Sequence, residues 1–93
     1  MDINEINILL NIRNGNFAEL KKLIVSMNLI PSLPKNQFDL LTERILKQLE
    51  KGSDYDQIKQ IIENELIVTY GLYRQEFNSE KITDDIFDWW EKN

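Results

Sequence analysis

Neither cysteine nor histidine occurs among the 93 residues. That removes thiol nucleophiles, disulfides, the usual zinc and haem ligands, and the side chain that most often serves as a general base near neutral pH. A chain without cysteine is compatible with a reducing compartment. No window approaches ~18 uninterrupted apolar residues, so no membrane-spanning helix is expected. The opening stretch MDINEINILL is acidic where a secretory leader would be basic, and no small-residue cleavage site follows it. A cytoplasmic location is the expectation. Proline occurs twice, at Pro31 and Pro34, which confines the strongest backbone punctuation to one place.

What is present describes a folded domain. A chain of this length has room for one core, so residues 1–93 are read as a single domain. Apolar residues make up 42% and charged residues 29%, which argues against disorder. The net charge of −5 is unevenly spread. Residues 1–52 carry +1, with Arg13, Lys21, Lys22, Lys35, Arg44, Lys47 and Lys51 as the bases, and residues 53–93 carry −6. From Glu76 to Glu91 there are six acids and one base, Lys81. Such a field repels nucleic-acid phosphate and attracts basic proteins. A solvated face that aids solubility would carry the same residues.

Apolar spacing and capping signals predict helices throughout. The first opens at Asp2 with Glu5 three residues on, carries Ile3, Ile6, Leu9 and Leu10 as a stripe, and is expected to end at Asn14-Gly15. A second is expected from the Asn16 cap with Glu19, its inner face being Phe17, Leu20, Leu23, Ile24 and Met27. The proline-containing segment IPSLPKN breaks the chain. A third helix runs to Lys51 on Phe38, Leu41, Ile45 and Leu49, with Asp39, Glu43 and Lys47 spaced to pair along its outer face. Asp54 with Gln57 caps a fourth, read as Tyr55 to Phe77 on Ile58, Ile61, Ile62, Leu66, Leu72 or Tyr73, and Phe77. Gly71 inside it marks a kink or a close approach. A short fifth helix is expected to start at Thr83, with Asp84 and Asp85 in its first turn and Ile82 stapled to Phe87. Short connections between helices imply an all-α antiparallel bundle of four to five helices.

The residues bear on three chemistries. Carboxylate pairs at Glu63/Glu65, Asp84/Asp85 and Asp84/Asp88 are of the kind used in glycoside or metal chemistry, but they fall on exposed helical turns and lack a histidine partner. No catalytic residue, cofactor or metal is assigned, and the protein is not expected to be an enzyme. Glu76, Glu80, Asp84 and Asp88 lie close in sequence without the spacing of a calcium loop. The segment LTERILKQLEKGSDYDQIKQIIENEL has the outline of a helix-turn-helix. Its second helix carries Asp54, Asp56, Glu63 and Glu65 against Lys59 alone, the wrong charge for a recognition helix. A DNA-binding regulator is therefore the lesser alternative, and direct contact with nucleic acid is not expected.

The C-terminal stretch DDIFDWWEKN combines two tryptophans with four acids. One core cannot take both indoles, because adjacent helical residues point about 100° apart. Phe87 and Trp90 are expected to pack inward and Trp89 to be partly exposed, with the reverse assignment of the two indoles, or both lying flat as a cap on the core edge, as the alternatives. Aromatic anchors with an acidic rim suit a basic protein partner. The candidate partner-binding residues are Tyr73, Glu76, Glu80, Asp84, Asp85, Asp88 and Trp89.

The acidic, aromatic segment YGLYRQEFNSEKITDDIFDWWEKN, with its helix-opening phrase EKITDDIF, resembles the small helical immunity proteins of bacterial toxin systems, those of colicin D and of contact-dependent growth inhibition. The resemblance implies a protein that binds a cognate toxin nuclease, a tRNase among the candidates, and occludes its active site with acids standing in for substrate phosphates. A helical regulatory or adaptor protein that binds another basic protein is the alternative. A homo-oligomer is compatible with either.

Overall fold

The computed structural model describes residues 3–31 and 33–92, with side chains from Asn11 onward, Lys35 excepted. It is an all-α antiparallel bundle of four α-helices: α1 (Ile3–Ser26), α2 (Asp39–Glu50), α3 (Tyr55–Asn64) and α4 (Ser79–Lys92). No strand occurs among the described residues. Successive helices pack on one another, α1 on α2, α2 on α3 and α3 on α4. The α1–α4 seam is not among the closely packed pairs.

The first two expected helices are one. Asn14 and Gly15 lie within α1 without ending it, and Asn16 is a helical residue, not a cap. Glycine costs about 1 kcal/mol in a helix interior, a penalty that the flanking turns absorb. Leu20 and Ile24 are buried, while Phe17, Leu23, Val25 and Met27 pack against the core edge. Arg13 ties the middle of α1 to α2, with Glu43 Oε1 at 2.5 Å and Glu50 Oε1 at 3.3 Å. The two carboxylates hold the Arg13 guanidinium above its ordinary pKa, the hydrogen bond to Glu43 contributing most. The Asp2 cap, and the side chains of Glu5, Ile3, Ile6, Leu9 and Leu10, fall outside the described residues. α1 ends where Asn28 takes a left-handed conformation (φ 53°) and its N–H reaches Val25 O.

After the proline segment a 3₁₀ turn, Lys35–Phe38, leads into α2. Phe38, Leu41, Ile45 and Leu49 are buried, as the spacing of that stretch predicts, and Leu46 is buried with them. The acids expected to pair along α2 reach across helices instead. Asp39 Oδ1, an enclosed atom without an aligned hydrogen bond, lies 2.7 Å from Lys21 Nζ, and Glu43 takes Arg13. Gly52 ends the helix with φ 82°, and the Ser53 and Gly52 N–H groups satisfy the carbonyls of Gln48 and Leu49. α3 then opens on the expected capping box: Asp54 Oδ1 accepts from Gln57 N and Gln57 Oε1 from Asp54 N, both at 2.9 Å.

The long fourth helix expected from Tyr55 to Phe77 is interrupted. α3 ends at Asn64 and widens into a π-helical turn, Glu65–Thr69, in which the Tyr70 N–H reaches back five residues to Glu65 O. The turn buries Glu65 and Leu66 side by side and leaves Val68 exposed. Glu65 is satisfied there by Arg44 and by the Thr69 hydroxyl at 2.9 Å. Gly71 is a terminator, not a kink: its φ of 72° lets the Leu72 N–H close on Leu66 O. Tyr70 stacks on Phe38 with ring centroids 5.7 Å apart and donates its hydroxyl to Gln37 O at 2.6 Å, pinning the turn to the start of α2. Burial chiefly, with the nearby Glu65 charge, raises the Tyr70 pKa.

α4 also begins earlier than the sequence suggests. Asn78 caps it through Lys81 N at 3.1 Å. Thr83 is therefore not the cap; it is fully buried one turn in, its hydroxyl donating to Ser79 O at 2.7 Å. Ile82 and Ile86 fill the core beside Ile58, Ile62 and Leu66.

Candidate functional site

With Ile82 and Ile86 turned inward, steps of about 100° sort the rest of α4. Glu80, Asp84, Asp88 and Glu91 face outward on the α3 side. Asn78, Lys81, Asp85 and Trp89 face α1. The seven candidate residues are therefore not one patch. The helix divides them into two surfaces, and the connection before it supplies two more residues.

The outward surface gathers Glu80, Asp84 and Asp88, all exposed. It includes two residues of α3 that the sequence reading did not assign to it. The Tyr55 hydroxyl donates to Asp84 Oδ1 at 2.7 Å and lies 3.1 Å from Glu80 O, while Lys59 Nζ is 3.3 Å from Glu80 Oε1. The matched spacing of Tyr55/Lys59 and Glu80/Asp84, each four apart, is the signal that could have paired them. Tyr55 also packs against Phe87, centroids 5.8 Å apart. The Asp84 hydrogen bond, then desolvation and the neighbouring acids, push the Tyr55 pKa up to about 12. Among the described residues, no cation pairs with Asp84, Asp88 or Glu91. Nor, among those residues, do three acidic side chains converge in a group that would hold a metal ion.

The second surface is the α1–α4 seam. Trp89 Nε1 donates to Glu19 Oε2 at 3.3 Å, joining the end of α4 to α1. Phe87, Trp89 and Trp90 are all half-buried against the core, and the two indoles are tilted on each other with ring centroids 5.8 Å apart. Trp89 is partly exposed as expected, but Phe87 and Trp90 are half-buried as well and not packed inward. Ile86 takes the inward position, and the three aromatics share the boundary around it. Along the seam lies an open hollow of about 440 Å³ bounded by Leu23, Met27, Phe77, Ile82, Glu76 and Asp85. A second hollow of about 430 Å³, between Glu19, Lys22 and Trp89, adjoins it at Leu23 and Ser26. Asp85 is half-buried and lies 3.8 Å from Lys81. The α1 contribution was missed, although Glu19, Leu23 and Ser26 recur at helical spacing on one face.

Tyr73 and Glu76 sit in the connection before α4. Tyr73 is 74% exposed, and its backbone N–H is held by Glu76 Oε2 at 2.7 Å. Two of the bases in the first half of the chain pair with acids of other elements, Lys21 with Asp39 and Arg44 with Glu65. No helix among the described residues is long and apolar enough to cross a membrane.

No protein-family profile, curated protein or solved structure matches this chain.

Proposed function

We propose that this protein is an immunity-type inhibitor that acts in the cytoplasm by binding a basic partner, a toxin nuclease, and covering its active site. The reading starts from charge. The half of the chain that folds into α3, its π-turn and α4 carries −6. The outward face of α4 presents Asp84, Asp88 and Glu91 without a paired cation among the described residues. A nuclease active site is lined with cations that bind phosphate. An ordered row of carboxylates at one-turn spacing is a surrogate for that ligand and needs no chemistry of its own. The single observation that carries the proposal is this row, held in place at its start by Tyr55 and Lys59 of α3. Tyr73 supplies an exposed aromatic at the near end of α4, a residue type enriched at binding hot spots.

The test is inhibition. The purified chain is mixed with the nuclease domain encoded beside its gene, and RNA cleavage is followed against inhibitor concentration. One equivalent should abolish cleavage, and co-expression should rescue growth. Cleavage that continues at a large molar excess, or the lack of any toxin reading frame beside the gene, contradicts the proposal.

A further inference from the structure

The α1–α4 hollow has a composition that the outward acidic face does not share. Its floor is apolar: Leu23 and Met27 from α1, Phe77 before α4, and the buried Ile82. Methionine and aromatic side chains make such a floor adaptable in shape. Its rim carries Glu76 and Asp85, with Lys81 as the one cation among the described residues of the lining, 73% exposed and 3.8 Å from Asp85. The hollow also takes in the end of α1, Ser26 to Asn28. That last turn has no basic residue to offset the partial negative charge of the helix C-terminus, and of its side chains the Ser26 hydroxyl donates to Leu23 O at 2.6 Å. Two carboxylates and a helix C-terminus surrounding an apolar floor define one kind of guest. It has a long aliphatic stem and a cationic head.

We infer that this hollow is an anchor slot for an arginine or lysine side chain projecting from a partner protein. The stem lies on Leu23, Met27, Phe77 and Ile82, and the head reaches Glu76, Asp85 and the carbonyl end of α1. Long basic side chains bury their methylenes against apolar surface while keeping the charge at a polar rim. A guanidinium fits better than an ammonium, because its planar fork meets carboxylates with two parallel bonds and is more weakly hydrated. The guest displaces Lys81 from Asp85, a contact long and exposed enough to yield. The inference rests on the reading of the protein as the inhibitor of a basic partner. It adds a second contact region, on the other side of α4 from Glu80, Asp84 and Asp88, so that the partner grips the helix from two sides.

The experiment needs no partner. The capped peptide Gly-Leu-Arg-Gly is titrated into isotopically labelled protein, and backbone amide shifts are followed, with Gly-Leu-Glu-Gly as control. Saturable shifts are expected at Leu23, Ser26, Phe77 and Asp85 with the arginine peptide and not with the glutamate peptide. Ser26→Trp fills the junction of the two hollows from an exposed position, and Asp85→Asn removes a rim charge. Each should weaken binding by about tenfold or more, with the melting temperature of each variant recorded to confirm folding. Neutralising Glu80, Asp84 and Asp88 together should leave peptide binding within about twofold, since that face does not line the slot. No saturable shift overturns the inference. So do shifts confined to the outward face, or binding that Ser26→Trp and Asp85→Asn both leave intact. Nuclease inhibition is a separate reading: its loss with the slot still binding arginine would remove the proposed function, and the reverse result would remove only the slot.

Discussion

Removing Arg44 should destabilise the fold far more than removing its partner Glu65. Glu65 is 6% exposed, and its carboxylate is satisfied by Arg44 and by the Thr69 hydroxyl. The Arg44 side chain is 50% exposed, so its own charge stays hydrated whether or not Glu65 is there. Arg44→Ala therefore leaves an ionised group inside with one neutral hydrogen bond. Breaking a buried pair costs ~3–5 kcal/mol, and water reaching the half-exposed guanidinium reduces this to about 2–3 kcal/mol. For a domain of this size that corresponds to a fall in melting temperature of roughly 10–15 °C. Glu65→Leu removes the buried charge itself and leaves only a solvated arginine, so it should cost about 1 kcal/mol or less. The double variant should resemble Glu65→Leu, not the sum of the two losses. Urea unfolding followed by circular dichroism measures all three. Equal costs for the single variants with an additive double variant would refute the argument that the asymmetry of burial sets the energetics.

Two glycines should respond to alanine with opposite signs. Gly15→Ala, inside α1 with no atom near the new Cβ, should stabilise by about 0.5–1 kcal/mol, whereas Gly71→Ala must hold φ 72° and should destabilise by about 1 kcal/mol despite equally open space; thermal melts decide both. The Tyr55 pKa of about 12 is raised above its unfolded value, so the Tyr55–Asp84 contact stabilises the fold fully below about pH 10 and is lost as pH rises towards 12. Asp84→Asn should bring the tyrosinate absorbance transition of Tyr55 to lower pH and remove that part of the alkaline destabilisation. Because Trp89 and Trp90 are both half-buried, alanine at either should lower stability by about 1–3 kcal/mol, less than for a fully buried aromatic. A melting temperature unchanged by Trp89→Ala would show that its contact with Glu19 and the α1 face holds nothing together.

Much of the core was readable from spacing alone. Phe38, Leu41, Ile45 and Leu49, then Ile58, Ile62 and Leu66, fall inside where a 3.6-residue period puts them, and the Asp54–Gln57 box opens α3 as its letters suggest. Punctuation misled where tertiary contacts outweighed it. Asn14-Gly15 looks like a helix end, yet the turn on one side is clamped by Arg13 to Glu43 and Glu50 and the turn on the other is buried at Leu20. Thr83 looks like a cap because threonine so often is one, but its hydroxyl serves Ser79 O from inside the helix, and Asn78 does the capping. The stretch after Asn64 kept an apolar rhythm that concealed the π-turn. Within that turn Glu65 meets Thr69 four residues on and Arg44 from α2, and the second of these is a long-range contact that no local pattern expresses. The acidic surface was legible as charge but not as geometry. Helical spacing alone puts Asp85 with Trp89 and turns Asp84 away from both, but which of these faces meets α1 depends on Leu23 and Ser26 lying opposite, about sixty residues earlier in the chain.

In the proposed function the outward acids of α4 bring a basic partner in. The most direct test is the association rate of the purified chain with the nuclease domain encoded beside its gene, measured by stopped-flow across a salt series. Screening acts over a Debye length of ~10 Å at moderate salt and ~3 Å at high salt, so steering by exposed carboxylates has to fade over that range. The association rate should fall steeply with ionic strength, and show a much flatter salt dependence once Glu80→Gln, Asp84→Asn and Asp88→Asn are combined. An association rate that ignores salt, or one with the same slope in the triple variant, would contradict steering by these acids.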